Sequence, residues 1–154
     1  MTTTVIRLFD EVSTAYQALD ALAAQGFPRD ELNLIANHER VDAPEVMAGW
    51  APRLVAVPGV GPLLAIGLVA AALSGTAGEV AGEGLMRVLM DRGAPTDEAR
   101  ACVEGMRRGG ALVLVDTDED RAEQAGEVLR RCAPGDQGAL AASWRRAGET
   151  SAPS

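Results

Sequence analysis

The chain predicts an α+β domain: a ferredoxin-like β-α-β-β-α-β sandwich with an inserted Gly/Ala-rich helical hairpin and an extra C-terminal helix. Three observations predict it. The first 36 residues read as strand, helix, strand. The last third alternates helix, strand and helix again. Between them runs an uncharged stretch, Leu54 to Gly78 (L-V-A-V-P-G-V-G-P-L-L-A-I-G-L-V-A-A-A-L-S-G-T-A-G), flanked on both sides by charged sequence.

Taken in order, Thr4 to Phe9 (T-V-I-R-L-F) alternates and gives way at Asp10 to a helix. Val12, Ala15, Leu19, Leu22 and Ala23 recur at helical spacing, so a helix is expected from Val12 to Gln25. Gly26 suits the left-handed residue that ends a helix, with Phe27 folding back on the last turn and Pro28 forbidding continuation. Leu32 to Ala36 (L-N-L-I-A) reads as the second strand. The polar segment from Asn37 to Pro52 reads as a loop around the single histidine, His38. Arg53 to Val57 is a third strand, ended by Pro58-Gly59.

The inserted hairpin is expected at about 58–92. Its first helix would open at Pro62, where a missing N–H costs nothing, and run to Ser74. Its second would span Glu79 to Asp91. Pro95-Thr96-Asp97-Glu98 starts a helix that places Ala99, Cys102, Val103 and Met106 inward and closes at Arg107-Arg108. Ala111 to Val115 (A-L-V-L-V) is a buried strand. Thr117 and Asp120 then resemble a capping box before a helix that runs to Cys132. Residues 1–133 thus form one domain, and 134–154, rich in Gly, Ala, Ser and Pro, are expected to be disordered. L-F-D-E-V-S-T-A-Y-Q-A-L near the start echoes L-V-D-T-D-E-D-R-A-E-Q-A later, each a strand, an acidic cap and an Ala-rich helix.

Composition narrows the function. The formal charge is -8, and such a surface repels phosphate backbones, so no nucleic acid partner is expected. All 14 basic residues are Arg, which excludes Schiff-base chemistry and the phosphate-loop lysine. Cys102 and Cys132 form neither a C-x-x-C pair nor a metal-ligand spacing. The start of the chain lacks a basic segment leading into an apolar stretch, so a cytoplasmic location is expected, with membrane association as the alternative.

The uncharged run can sit in a bilayer, in the core, or between copies of the chain. Pro58, Gly59, Gly61 and Pro62 break its first third. The remaining helix would be about 20 Å long against about 30 Å of hydrocarbon. Small residues favour close packing instead: Gly67, Ala71 and Gly75 recur every fourth position, as do Ala70, Ser74, Gly78 and Gly82. A homo-oligomer packed through Gly67, Ala71, Gly75, Gly78 and Gly82 is the expected use of this stripe.

Candidate chemistry thins out on inspection. The Gly59 and Gly61 turn is the one anion-site candidate, but the third glycine of a dinucleotide fingerprint is replaced by Leu64 and Pro62 removes a donor. Asp116, Asp118 and Asp120 alternate as in a calcium loop yet lack its Gly and distant Glu, so capping explains them better. No catalytic residue, metal ligand set or cofactor site is expected, and no small-molecule substrate is indicated.

The segments V-I-R-L-F-D, A-L-A-A-Q-G-F, L-V-A-V-P-G-V-G-P-L-L-A-I-G, and G-A-P-T-D-E-A-R with R-R-G-G-A-L-V-L-V resemble a family of small bacterial general stress proteins, heat-induced or low-temperature-induced. The likeness covers roughly residues 4 to 132. Members often carry aromatic residues where this chain has Ala101 and Cys102. The resemblance implies a stress-linked context and no catalytic residues. The function expected is therefore non-enzymatic and assembly-based. Shallow bilayer insertion of the 54–78 run, or ligand binding at the Gly59 and Gly61 turn, are the alternatives.

Overall fold

A computed structural model describes residues 2–40, 49–50, 52–57, 60–74, 83–132 and 141–145. Its strands are β1 (Thr2–Phe9), β2 (Leu32–Asn37), β3 (Arg53–Val57), β4 (Gly61–Ile66), β5 (Ala111–Asp118) and β6 (Ala141–Arg145). Its helices are α1 (Val12–Ala24), α2 (Val69–Ser74), α3 (Glu83–Asp91), α4 (Thr96–Arg107) and α5 (Glu119–Arg131). The strands form one sheet in the order β3-β4-β2-β5-β1-β6, and every neighbouring pair is antiparallel. The fold is α+β.

Helices cover both faces of this sheet. On one face α1 and α5 bury Ala15, Leu19, Leu22, Val128 and Leu129 against Val5, Phe9, Leu34, Val113 and Val115. On the other, α2, α3 and α4 bury Leu73, Leu85, Leu89, Cys102 and Met106 against Ile6, Ile35, Leu63, Leu112 and Leu114. A strand covered on both sides must be apolar at every position, not at alternate ones. That is why A-L-V-L-V and L-x-L-I-A form the two central strands, β5 and β2.

The helix stops follow from three glycines. Gly26, Gly93 and Gly109 each have a φ between 95° and 99°. After α1 the N–H of Phe27 bonds to the carbonyl of Leu22 at 3.2 Å and that of Gly26 to Ala23 at 3.1 Å. This satisfies the last carbonyls and folds Phe27 into the core beside Leu22. Ala94 to Leu89 and Gly110 to Gly105 repeat the pattern after α3 and α4. Outside the helices, the Arg29 guanidinium lies 4.3 Å from the Trp50 ring centroid and donates to the Gly49 carbonyl at 2.7 Å.

Several expectations are corrected. The helix drawn from Pro62 to Ser74 is a strand, a turn and a short helix. The expected start of the next helix at Glu79 lies outside the described residues, of which α3 spans Glu83–Asp91. An apolar run such as L-L-A-I does not distinguish a buried strand from a buried helix. Gly67 decides it: with φ 94° the residue cannot continue a helix, and the chain turns there. Thr117 is no cap. It lies buried inside β5 opposite Thr3, and Asp118 holds the N-cap position of α5 without a side-chain bond. The segment 134–154 was expected to lack structure, yet β6 within it pairs with β1 from Thr3↔Arg145 to Arg7↔Ala141. The open edge of β1 supplies the backbone partners that an Ala-rich strand cannot supply alone. The C-terminal helix α5 is therefore no appendage, because β5 and β6 flank β1 on either side and α5 joins them.

Candidate functional site

Much of the described part of the uncharged run is inside the molecule. Val55, Val57, Val60, Leu63, Leu64, Ala65, Ile66, Val69, Ala70 and Leu73 are all buried. Among the described residues, no helix is long and apolar enough to cross a membrane. Among its described residues, Leu54 is 61% exposed and Leu68 62%, and Ala56, Gly67, Ala71 and Ala72 are exposed as well. Leu54 and Ala56 lie on β3, which ends the sheet and pairs only with β4 among the described strands.

Of the residues expected to form a packing stripe, Gly67 and Ala71 are among those described. Gly67 stands in the turn before α2, so its spacing of four from Ala71 does not make a helical face. Its close contact is within the chain, where a Cβ would run into the Leu32 carbonyl oxygen and lie 2.6 Å from Asn33 Oδ1. Ala71 is exposed on α2. Gly75, Gly78 and Gly82 lie outside the described residues, as does Gly59. Gly61 has φ 112° and opens β4, so no helix N-terminus stands behind the turn that was considered as an anion site.

The fold gathers a polar cluster that the sequence did not announce. Thr4, Asn33 and Asp116 are neighbours across β1, β2 and β5, and all project toward the α2-α3-α4 layer. Their alternation with Val5, Leu34 and Val115, which face the other way, fixes that direction. The Thr4 hydroxyl donates to Asp116 Oδ1 at 2.7 Å, and the Asn33 amide to Asp116 Oδ2 at 3.2 Å. Arg92, just past the end of α3, donates Nε to Oδ1 at 3.3 Å and Nη2 to Oδ2 at 3.4 Å. Asn33 Oδ1 accepts the Val69 N–H at 3.0 Å, so the cluster also holds the start of α2. Arg92 and Asp116 are 7% and 8% exposed.

This arrangement fastens the helical layer to the sheet. A carboxylate forked by a guanidinium is a strong, geometrically specific contact, and each added donor offsets part of its desolvation. The carboxylate's oxygens are engaged by these donors, which leaves it poorly placed to act on another molecule. Asn33 was the available sequence signal, a polar residue interrupting an apolar strand. Arg92 gave none, because an Arg beside a helix-ending glycine is common at any helix end.

The other candidates remain apart. Asp118 and Asp120 are exposed while Asp116 is buried, and no group of metal-binding side chains forms among the described residues. His38 is exposed. Cys102 is fully buried, and burial, helped by the charge of Glu98, pushes its thiol up to about 12. Such a thiol is inert. Thr3 and Thr117, opposite one another on β1 and β5, carry buried hydroxyls with no hydrogen-bond partner among the described residues.

Comparisons of the chain with protein-family models, with characterised proteins and with solved structures find no match.

Proposed function

We propose that the protein is a stress-associated, non-enzymatic protein that works by self-association through the exposed part of its uncharged run. The observation that carries this reading is the edge of β3, which has no second strand partner among the described residues, with Leu54 61% exposed on it. Natural sheets blunt an open edge with charge, proline or a covering element. Here the strand is R-L-V-A-V, with Pro52 before it, Pro58 after it and its one charge at its end, so its middle, Leu54 to Ala56, carries neither device. The gathered ionisable groups, Asp116 and Arg92, bind each other, which supports a structural use for them. The stress context rests on the sequence resemblance alone.

Our reading of the architecture is finer than its class. The units β1-α1-β2 and β5-α5-β6 interleave, each having one strand of the other between its own two. We take this as a ferredoxin-like base with β3, β4, α2, α3 and α4 inserted between β2 and β5. The insertion is larger than a helical hairpin, and it supplies both the second helical layer and the edge strand. Self-association is tested by light scattering coupled to size exclusion without detergent, on the full chain over a wide concentration range. A dimer or larger species is the expected result. A monomer throughout overturns the reading. Detergent-dependent recovery would transfer it to a membrane surface.

A further inference from the structure

We infer that the partner of β3 is β3 of a second copy, paired antiparallel about Val55 so that the two sheets become continuous. This rests on the self-association reading and gives it a register. Pro62 lies opposite Ala56 and has no N–H. The hydrogen-bonded pairs of β3 with β4 are therefore Arg53–Ala65, Val55–Leu63 and Val57–Gly61, because bonded and non-bonded pairs alternate. The backbone groups of Leu54 and Ala56 consequently point out of the sheet, away from β4. These are also the residues of β3 whose apolar side chains are exposed.

Only a strand offers the repeating donors and acceptors that such an edge requires. A second copy fits for two reasons. Rotation about Val55 sets Leu54 of each copy opposite Ala56 of the other, so the outward N–H and C=O groups meet their complements and the exposed apolar side chains cover one another. The same rotation sets Arg53 opposite Val57, which separates the two guanidiniums by about four residues of strand, roughly 14 Å and beyond the Debye length. In a chain with net charge -8, β3 carries no acidic residue, so two copies meet there with no carboxylates facing within the paired strands. A five-residue edge buries less than the roughly 1,600 Å² of a standard stable interface, so the dimer should be concentration-dependent.

The test uses the full chain in sedimentation equilibrium, with Leu54→Pro as the edge variant. Proline there removes an outward donor without touching the bonds to β4, so circular dichroism and the melting temperature should change little. The dimer dissociation constant should rise about tenfold or more. Independently, Leu54→Cys and Ala56→Cys chains, both in a Cys132→Ser background, are mixed and oxidised. The mixture should give a cross-linked dimer, and Leu54→Cys alone should not, since its own diagonal separation is about 7–8 Å, too long for a disulfide. A wild-type chain that is monomeric throughout overturns self-association itself. A wild-type dimer that survives Leu54→Pro and yields no 54-to-56 cross-link keeps self-association and overturns the β3 pairing. Should Leu54→Pro fail to fold, the cross-link decides alone.

Discussion

Gly67 and Asp116 each tie part of the helical layer closely to the sheet. A Cβ on Gly67 would collide with the Leu32 carbonyl at a φ that L-residues avoid, so Gly67→Ala should destabilise by about 2–3 kcal/mol in urea denaturation. Asp116→Ala takes the carboxylate from a buried guanidinium and from the Thr4 hydroxyl, while the Asn33 amide keeps the Leu114 carbonyl. About 3–5 kcal/mol should be lost, more than any exposed carboxylate of the chain would show in the same assay. Cys102 gives the chain an alkaline limit. Its folded thiol is raised to about 12 from the ordinary 9.0, first by burial and then by Glu98. Between those values the folded chain holds a proton that the unfolded chain releases, so stability is intact below about 9 and falls as pH rises toward 12. Cys102→Ala should flatten that part of a stability-against-pH curve.

Elements show why some of the sequence was legible and some was not. Periodicity with a stop signal placed α1, α4 and α5 closely, since an amphipathic face and a helix-ending glycine or basic turn are local properties. β3 was legible for the same reason, ending at Pro58-Gly59. β4 and β6 were not. L-L-A-I is apolar whether it is a strand under two helical layers or a helix, and only Gly67 tips it. A-A-S-W-R has little strand character of its own and is recruited by the open edge of β1. The cluster at Asp116 was illegible because its members are brought together across three strands and a helix end. The two layers should behave as independent cores. Leu19→Ala under α1 and Leu89→Ala in α3 should each cost about 2–5 kcal/mol, and the double variant their sum to within about 0.5 kcal/mol.

At the scale of the whole molecule, the uncharged run lies across the sheet and the α2-α3-α4 layer. Its strands extend the sheet, its short helix begins the second cover, and its described residues are exposed at Leu54 and Ala56 of β3 and at Leu68, Ala71 and Ala72 around α2. No helix among the described residues is long and apolar enough to cross a membrane, and β3 stands at the edge of the sheet. Nuclear magnetic resonance of the uncharged run in the full chain tests this most directly. Cross-strand contacts from Leu54 to Leu64 and from Val55 to Leu63, with slow amide exchange from Leu63 to Ile66, are expected. Continuous i to i+3 contacts from Pro62 to Ser74 would instead make the run a helix and remove both the hairpin and its edge.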